Sequence, residues 1–412
     1  MPHRELDSLL DELTRIAALP LERGETLPAR AYTSEDFYRL EREHIFRADW
    51  LCAGHVDQVA RPGDYLRTDV LGEPLVITRD EDGELHALSR VCRHRFMDVL
   101  PPETTPEQGS LKRLTCPYHT WTYRLNGEYA GQLAGAPLMG KVDFDRAACR
   151  LPRYRLEVWN GLIMICADPE APALGPQLDG LTAKVAPYRL ADLVVAYTAG
   201  WEDIPANWKV GLENGSENYH HMGSHAATLE PLLPGRDTVV DECDGRWFTM
   251  YTPFSADALA EAATTAEAAT TAEAAGDGAP GAAGTLIPGL GERELSGMTI
   301  AGVFPHLAMA LLPDSVTFLR QIPTGPGTHD AHFTVLVPAE VRDKPGFDAY
   351  VAAARQQLET IQSEDLVAIR GVQRGLATDP GPSGGRFSHL ERPLWQFQRY
   401  LADRLVGRTR VP

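Results

Sequence analysis

The sequence predicts an α+β protein in which a small all-β domain is followed by a mixed domain of strands and helices. Short apolar strand patterns separated by tight-turn dipeptides, such as Asp82-Gly83 and Asn160-Gly161, occupy residues 46–166. From residue 167 to 412, strand patterns alternate with long stretches of helical spacing. A chain of 412 residues is long enough to bury two such cores.

Residues 1–45 are expected to form N-terminal helices that pack on the second domain. Apolar residues recur at helical spacing from Glu5 to Leu19, and Thr33-Ser34-Glu35-Asp36 is typical of a helix N-terminus. The all-β domain then shows alternating, β-branched segments. Its predicted strands are Tyr65–Val70, Pro74–Thr78, Glu84–Val91, Tyr154–Val158 and Leu162–Ile165.

The mixed domain is predicted to open with one helix at Trp208–His225 and to contain a long helix at Phe347–Leu376. Its strands are predicted near Met298–Leu312, Ser315–Ile322 and Ala331–Leu336. Residues 256–284 repeat Glu-Ala-Ala-Thr-Thr-Ala and contain almost no large apolar side chains. Such a low-complexity segment cannot offset its ordering entropy, and it is predicted to be a surface insertion.

Composition excludes several classes of protein. Asp and Glu number 57 against 39 Lys and Arg, and the net charge of −18 argues against nucleic-acid or anionic-membrane binding. Neither a signal-peptide core nor a run of about 18 apolar residues is found, so a cytoplasmic protein is expected. In that reducing compartment the six cysteines are expected to be thiols or metal ligands.

Two short segments each combine one cysteine with one histidine. Cys92 and His94 form a C-x-H pair, and Cys116 and His119 form a C-x2-H pair. A tetrahedral zinc and a [2Fe–2S] centre of the Rieske type compete for this ligand set. Zinc fingers pair Cys with Cys and His with His on a ββα unit, so the mixed pairing favours the iron–sulfur centre.

The segment from Glu213 to His225 carries three histidines and two glutamates, which indicates a metal site. On a regular helix Glu217, His221 and His225 share one face, so helical geometry alone favours His221 over His220. Gly223 and Ser224 weaken the helix, and a bend there would bring His220 to His225 instead. Two imidazoles with one carboxylate suit non-haem Fe(II).

These motifs, in this order, resemble the catalytic α subunits of the Rieske non-haem iron oxygenases. Besides the two Cys/His pairs, the resemblance involves Asn207-Trp208-Lys209 with Glu213-Asn214, and Gln362–Val367 near the C-terminus. It implies a Rieske [2Fe–2S] domain and a catalytic domain with a curved antiparallel sheet flanked by helices, of the helix-grip type. Glu217 in place of the more frequent Asp is similar to the single-subunit branch that includes choline and carnitine oxygenases.

The resemblance also implies the site residues. Cys92, His94, Cys116 and His119 would hold the cluster, and His220, His225 and Asp365, rather than Glu364, would bind the mononuclear Fe(II). His221 remains the alternative that geometry alone favours. Subunits would assemble as trimers or multiples of trimers, and Glu217 would hydrogen-bond His220 and, in the next subunit, His119. The family often has Gly where this chain has Phe96 and Thr120.

The implied activity is hydroxylation or demethylation of a small organic molecule, such as a secondary metabolite or a quaternary ammonium compound. It would use O2 and electrons that come from NAD(P)H through a ferredoxin or a flavin reductase. Residues 91–124 have five basic side chains against three acidic ones, a local net charge of +2 that favours an acidic donor. The alternatives are an aromatic-ring cis-dihydroxylating dioxygenase, a Rieske electron carrier and a zinc-stabilised binding protein.

Overall fold

The computed structural model describes residues 2–70, 72–132, 139, 141, 143–261, 285–379 and 381–409. It consists of two compact units, Phe46–Leu174 and a second unit that combines Met1–Ile45 with Gly175–Pro412. The all-β unit therefore ends eight residues beyond the predicted boundary at residue 166. The predicted insertion at 256–284 lies outside the described residues from 262 onward.

The first unit is built from antiparallel strands, as predicted. Seven strands form a sheet in the order β1-β10-β9-β4-β3-β2-β5, and β6-β7-β8 form a smaller sheet. The strands are β1 Leu51–His55, β2 Asp64–Thr68, β3 Leu75–Arg79, β4 Leu85–Ser89, β5 Gln108–Ser110, β6 Leu114–Thr115, β7 Trp121–Tyr123, β8 Tyr129–Gln132, β9 Arg153–Trp159 and β10 Leu162–Cys166. The turns at Gly83 and Gly161 have positive φ angles of 84° and 82°, which glycine adopts without a steric penalty.

The second unit contains one seven-stranded antiparallel sheet in the order β11-β17-β16-β15-β14-β13-β12. Its strands are β11 Leu193–Ile204, β12 Val239–Asp244, β13 Trp247–Pro253, β14 Gly297–Val303, β15 Leu307–Leu311, β16 Val316–Gly325 and β17 Thr328–Pro338. The core of this unit includes side chains of the sheet that are fully buried, such as Phe248, Phe318 and Leu336. A β unit together with a mixed antiparallel-sheet unit confirms the predicted α+β class.

Helices accompany this second sheet. They are α1 Pro2–Ala17, α2 Arg30–Thr33, α3 Glu35–Glu41, α4 Asp179–Val185, α5 Trp208–Asn214, α6 His221–Ser224, α7 Glu292–Leu295, α8 Phe347–Leu376 and α9 Arg392–Thr409. The long helix α8 has the predicted bounds, and both α5 and α6 contact it. No helix among the described residues has the length and apolar character that crossing a membrane requires.

The single helix predicted at Trp208–His225 is wrong, because the chain breaks it into two short helices. Helix α5 begins after Asn207, whose side chain accepts a hydrogen bond from the Lys209 N–H, and it ends at Asn214. A turn with the sequence Gly-Ser-Glu-Asn-Tyr-His follows before α6. The carboxylate of Glu217 accepts a hydrogen bond from the backbone N–H of His220 and so favours this turn over a helix.

A buried ion pair joins α3 to α5. The Lys209 ammonium lies 2.5 Å from the Glu41 carboxylate, both side chains are fully buried, and Trp208 Nε1 donates to the other Glu41 oxygen at 3.0 Å. The ammonium also lies 5.2–5.5 Å from the centres of three aromatic rings, those of Tyr32, Phe37 and Trp208. Burial raises the pKa of Glu41 and lowers that of Lys209, and each charge opposes the shift of the other.

Glu213, one turn after Lys209, is a second buried acid. Its Oε1 accepts a hydrogen bond of 2.7 Å from the Tyr32 hydroxyl. Burial raises the pKa of Glu213 to about 7, although the Tyr32 hydrogen bond and the charge of Lys209 act in the opposite direction. Between its ordinary value of 4.5 and this value, the folded chain therefore holds a proton that the unfolded chain releases.

This shift predicts that Glu213 makes the protein less stable as the pH rises. The stabilisation is fully present below the unfolded pKa and is lost as the pH rises towards 7, about 3 kcal/mol at 1.36 kcal/mol per pKa unit. Glu213→Gln keeps an acceptor for Tyr32 but does not titrate. In urea unfolding, the variant should match the wild type near about pH 4 and exceed it near about pH 8. The exposed Glu43→Gln is the control, and an equal difference at both pH values would contradict the prediction.

Candidate metal centres

The two Cys/His segments of the first unit fold into closely similar loops. The Cys92 N–H donates to the Met97 carbonyl and the Phe96 N–H donates to the Cys92 carbonyl, at 2.9 and 3.0 Å. In the second loop, Cys116 donates to Trp121 and accepts from Thr120, at 2.8 and 3.0 Å. In both loops the backbone of the cysteine is therefore hydrogen-bonded to the residues four and five positions later in the chain.

The residue that closes each loop has a left-handed backbone. Phe96 has a φ of 61° and Thr120 has a φ of 57°. Glycine adopts this region without cost, whereas it is unfavourable for bulky and β-branched residues. These are the two positions where related sequences were expected to carry glycine. The left-handed backbone explains why glycine was expected at both positions. In this chain Phe96 and Thr120 adopt the same conformation with backbone strain.

The loops bring the four predicted cluster ligands together in like pairs. The thiols of Cys92 and Cys116 are buried and interact with each other, and this contact, after burial itself, raises the pKa of Cys116. The imidazole rings of His94 and His119 lie 4.7 Å apart, centre to centre. Burial, His119 and Arg95 lower the pKa of His94, which favours the neutral form that binds metals.

Aromatic residues support both pairs. Trp121 stacks on the His94 ring at 4.9 Å with an interplanar angle of 8°. The Tyr123 hydroxyl lies 3.2 Å from the Cys92 sulfur and accepts a hydrogen bond from the Arg93 N–H. Two thiols on one side and two imidazoles on the other fit a Rieske [2Fe–2S] cluster, in which two thiolates bind one iron and two imidazoles the other. Within the described part of the chain, Cys52, Cys149 and Cys166 do not form disulfides, and the side chain of Cys243 lies outside that part.

A second group of potential ligands lies in the mixed unit. His220, His225 and Asp365 each offer one ligand atom, and these atoms lie within 4.8 Å of one another. Asp365 Oδ1 is 3.0 Å from His225 Nε2 and 3.6 Å from His220 Nε2. Ligand atoms that bind one metal at about 2.0–2.1 Å from neighbouring directions are themselves about 3 Å apart. The three side chains therefore fit a single divalent metal ion with its remaining positions open.

The turn before α6 orients His220. Glu217 Oε1 lies 2.7 Å from His220 Nδ1, while its other oxygen accepts from the His220 N–H. The buried Asn218 donates to the Thr252 hydroxyl on β13 at 2.7 Å and anchors the turn to the sheet. Gly235 packs against this turn so closely that an added Cβ would lie 2.3 Å from the Asn218 carbonyl oxygen.

His221 does not join the group. Its side chain is buried, and its Nδ1 lies 3.0 Å from the Leu233 carbonyl oxygen. Burial lowers the pKa of His221, so the ring is neutral and serves the packing of this turn. The regular helical geometry that favoured His221 does not describe this segment, because α5 and α6 are not one helix.

Three polar residues that the sequence analysis did not assign complete the surroundings of this site. Asn214 Nδ2 donates to Asp365 Oδ1 at 3.1 Å. Glu364 Oε2 lies 2.7 Å from His225 Nδ1 and accepts from the Thr228 hydroxyl at 2.6 Å. Burial lowers the pKa of His225, but the hydrogen bonds to Asp365 and Glu364 outweigh it and raise the pKa overall. In the sequence, the only sign of these contacts was that two acids, Glu364 and Asp365, are adjacent.

Several aromatic side chains of the mixed unit belong to its core. The rings of Trp247, Phe248, Phe304 and Phe318 are buried, as is His306, whereas Trp201 and Tyr251 are partly buried. Phe304 is fully buried and packs on Phe248 and on Phe397 of α9. Burial lowers the pKa of His306 to about 3. Phe248, Phe304 and His306 therefore support the fold.

Comparison with known families decides the wider relationship. The profile of the ring-hydroxylating alpha subunit (catalytic domain) matches residues 188–407, which is more than half of the chain. The chain belongs to this family. A Rieske [2Fe-2S] domain profile matches residues 49–144 and covers both Cys/His loops. The predicted membership of the Rieske oxygenase α subunits is thereby confirmed.

Relatives of this α subunit include oxygenase subunits of two monooxygenases. It is 34% identical over 229 residues to the carnitine monooxygenase oxygenase subunit of Escherichia coli K12, covering 55% of this chain and 56% of that protein. It is 26% identical over 402 residues to the glycine betaine monooxygenase oxygenase subunit of Chromohalobacter salexigens, covering 93% and 86%. The first match thus spans little more than half of the relative's length.

Solved structures show the same fold. A quaternary ammonium Rieske monooxygenase superposes with a TM-score of 0.74 at 23% identity, covering 94% of this chain and 97% of the other. Naphthalene 1,2-dioxygenase from Rhodococcus sp. superposes with a TM-score of 0.76 at 20% identity, covering 99% of both chains. Because both monooxygenase and dioxygenase structures match, the fold alone does not decide the reaction.

Proposed function

We propose that this α subunit is the oxygenase component of a Rieske-type monooxygenase that acts on a small quaternary ammonium compound. The observation that carries the oxygenase activity is the group of His220, His225 and Asp365, because two imidazoles and one carboxylate on one face of a metal are typical of Fe(II) oxygenases. The substrate class is supported by the carnitine and glycine betaine relatives. The glutamate at position 217 agrees with that branch.

In this proposal the two ligand groups hold different irons. Cys92, His94, Cys116 and His119 bind a [2Fe–2S] cluster, and His220, His225 and Asp365 bind the mononuclear Fe(II). The bound ferrous ion supplies activation of O2 at its open positions. The protein orients the ligands: Glu217 fixes the His220 ring, and Asn214 fixes the Asp365 carboxylate.

The reaction balances as a monooxygenation. O2, two electrons and two protons convert one C–H bond into C–OH and release one water molecule. When the hydroxylated carbon is attached to the quaternary nitrogen, the C–N bond breaks and yields a tertiary amine and an aldehyde. A cis-dihydroxylation would instead place both oxygen atoms on an aromatic ring and release no amine.

The proposed reaction needs two kinds of protein partner, an electron donor and further copies of this subunit. We infer that a reductase or ferredoxin provides electrons taken from NAD(P)H, because a Rieske cluster carries electrons that another protein must deliver to it. Arg93 and Arg95 are exposed beside the cluster loops, next to the exposed rings of Phe96 and Tyr118. This basic, aromatic surface suits an acidic electron-transfer protein. We also propose a homotrimer in which Glu217 of one subunit hydrogen-bonds His119 of the next.

The iron-loaded protein, with a surrogate reductase, NADH and ¹⁸O2, should release a tertiary amine and an ¹⁸O-labelled product from carnitine or glycine betaine. His220→Ala should abolish this, by more than about a hundredfold, because it removes a metal ligand. His221→Ala is the matched control, since the His221 ring lies beside the ligand group and its Nδ1 contacts the Leu233 carbonyl instead. It should keep most of the activity once circular dichroism shows that it is folded.

Three outcomes would contradict the proposal. Amine release that survives His220→Ala but not His221→Ala would move the metal to the other histidine. A cis-diol from naphthalene or chlorobenzene, with no reaction of quaternary ammonium compounds, would make the protein a dioxygenase. A cluster that is reduced without any O2-dependent product would indicate an electron carrier.

A further inference from the structure

A second carboxylate holds the other histidine of the mononuclear site. Glu364 Oε2 lies 2.7 Å from His225 Nδ1, on the side of the ring opposite to Asp365. The His225 side chain is only 1% exposed, whereas Glu364 is 26% exposed. Glu364 and Asp365 are consecutive residues of α8, so their side chains point about 100° apart. One helix therefore contacts both nitrogens of a single imidazole.

This contact determines which nitrogen of His225 carries the proton. The same Glu364 oxygen also accepts a hydrogen bond of 2.6 Å from the Thr228 hydroxyl, and a carboxylate at 2.7 Å from a ring nitrogen acts as the acceptor of an N–H. With the proton on Nδ1, the lone pair of Nε2 is left for a cation bound between this nitrogen and Asp365 Oδ1, which lies 3.0 Å away. A neutral imidazole that binds a metal through Nε2 needs this tautomer.

We propose that Glu364 is a positioning residue of the metal site: it fixes the ring and the Nδ1–H tautomer of His225, and Thr228 holds Glu364 in place. The inference rests on the proposed function, because it assumes that His225 binds a divalent cation. Glu364 acts on His225 as Glu217 acts on His220, at 2.7 Å in both cases. Each histidine of the pair thus has its own glutamate.

Metal affinity tests this role without turnover. Protein that retains its cluster but has lost the mononuclear metal is dialysed against Co(II), and bound cobalt is measured by mass spectrometry. Glu364→Ala should raise the Kd for Co(II) by about ten- to a hundredfold, the usual effect of losing such an outer partner. Glu364→Gln keeps a neutral acceptor and should weaken binding less. Glu359→Gln, exposed on the same helix, is the control and should bind as the wild type does.

A tautomer measurement separates positioning from a general structural effect. In metal-free Asp365→Ala protein, where Nε2 has lost the acid beside it, ¹⁵N shifts of labelled histidine should show His225 protonated on Nδ1, and adding Glu364→Ala should abolish that preference. Unchanged Co(II) affinity and an unchanged tautomer in Glu364→Ala would overturn the proposal. Glu364→Ala could fail to fold, and the single variants Thr228→Val and Glu364→Gln then replace it. The proposal is overturned if both of these variants keep the Co(II) affinity and the His225 tautomer of the wild type.

Failure of the proposed function gives a different result. Wild-type protein that binds no Co(II), or binding that survives Asp365→Ala, would show that His225 and Asp365 do not form a metal site. Both the function and the positioning role would then be wrong. Loss of affinity in Asp365→Ala, combined with unchanged affinity in Glu364→Ala, would leave the metal site intact and refute only the role of Glu364.

Discussion

Asp365→Ala protein should lose its mononuclear metal while keeping the absorption spectrum of the Rieske cluster. The Asp365 carboxylate contacts both His220 and His225, at 3.6 and 3.0 Å. Without it, two neutral imidazoles face each other with no negative charge to offset a divalent cation. Bound mononuclear metal and product formation should both fall by more than about a hundredfold. Elemental analysis and the ¹⁸O2 assay measure the two losses.

The exposed Asp348→Asn on the same helix is the control for this substitution. This substitution also removes one carboxylate from α8, but Asp348 lies far along the helix from the ligands. The variant protein should keep both the metal and the activity. Retention of product formation by Asp365→Ala would refute the ligand assignment. Loss of the cluster spectrum as well would instead indicate a general failure to fold or assemble.

Lys209→Met should destabilise the mixed unit by about 3–5 kcal/mol, because it leaves the Glu41 carboxylate buried without its cation. The substitution keeps the apolar part of the side chain inside the ring of Tyr32, Phe37 and Trp208 but removes the charge that those rings surround. Proton uptake by Glu41, whose pKa burial already raises, recovers only part of the loss. Urea unfolding followed by circular dichroism measures the change.

A double variant distinguishes the charge effect from a packing effect. Lys209→Met combined with Glu41→Gln leaves no uncompensated charge, and it should regain most of the lost stability. The exposed Lys112→Met should have little effect. If the double variant is as unstable as Lys209→Met alone, packing of the lysine and not its charge is what stabilises the junction of α3 and α5.

The sequence predicted best those elements whose pattern is local. The long helix at Phe347–Leu376 has uninterrupted helical spacing, and its bounds agree with the structure. The strands of the β unit alternate clearly and end at glycine turns such as Gly83. Strand β11 and helix α9 were not predicted, since β11 pairs with a strand far away in the chain and its pattern is only half-buried.

The candidate site shows where periodicity fails. His221 shared a helical face with His225 only as long as the chain stayed helical, and the contacts of Glu217 and Asn218 replace that helix by a turn. Resemblance to a family, not geometry, pointed to His220. The role of Glu364 depends on an atom-level contact across 139 residues of chain, which no local pattern contains.

The matched loops at Cys92 and Cys116 also govern how a cofactor could be acquired. Each loop contributes one sulfur and one nitrogen, so each of the two irons would depend on both loops at the same time. A half-assembled centre with one iron would leave two ligands unsatisfied, one from each loop. Maturation should therefore be all-or-none, and the strained backbone at Phe96 and Thr120 makes premature closure of either loop less favourable.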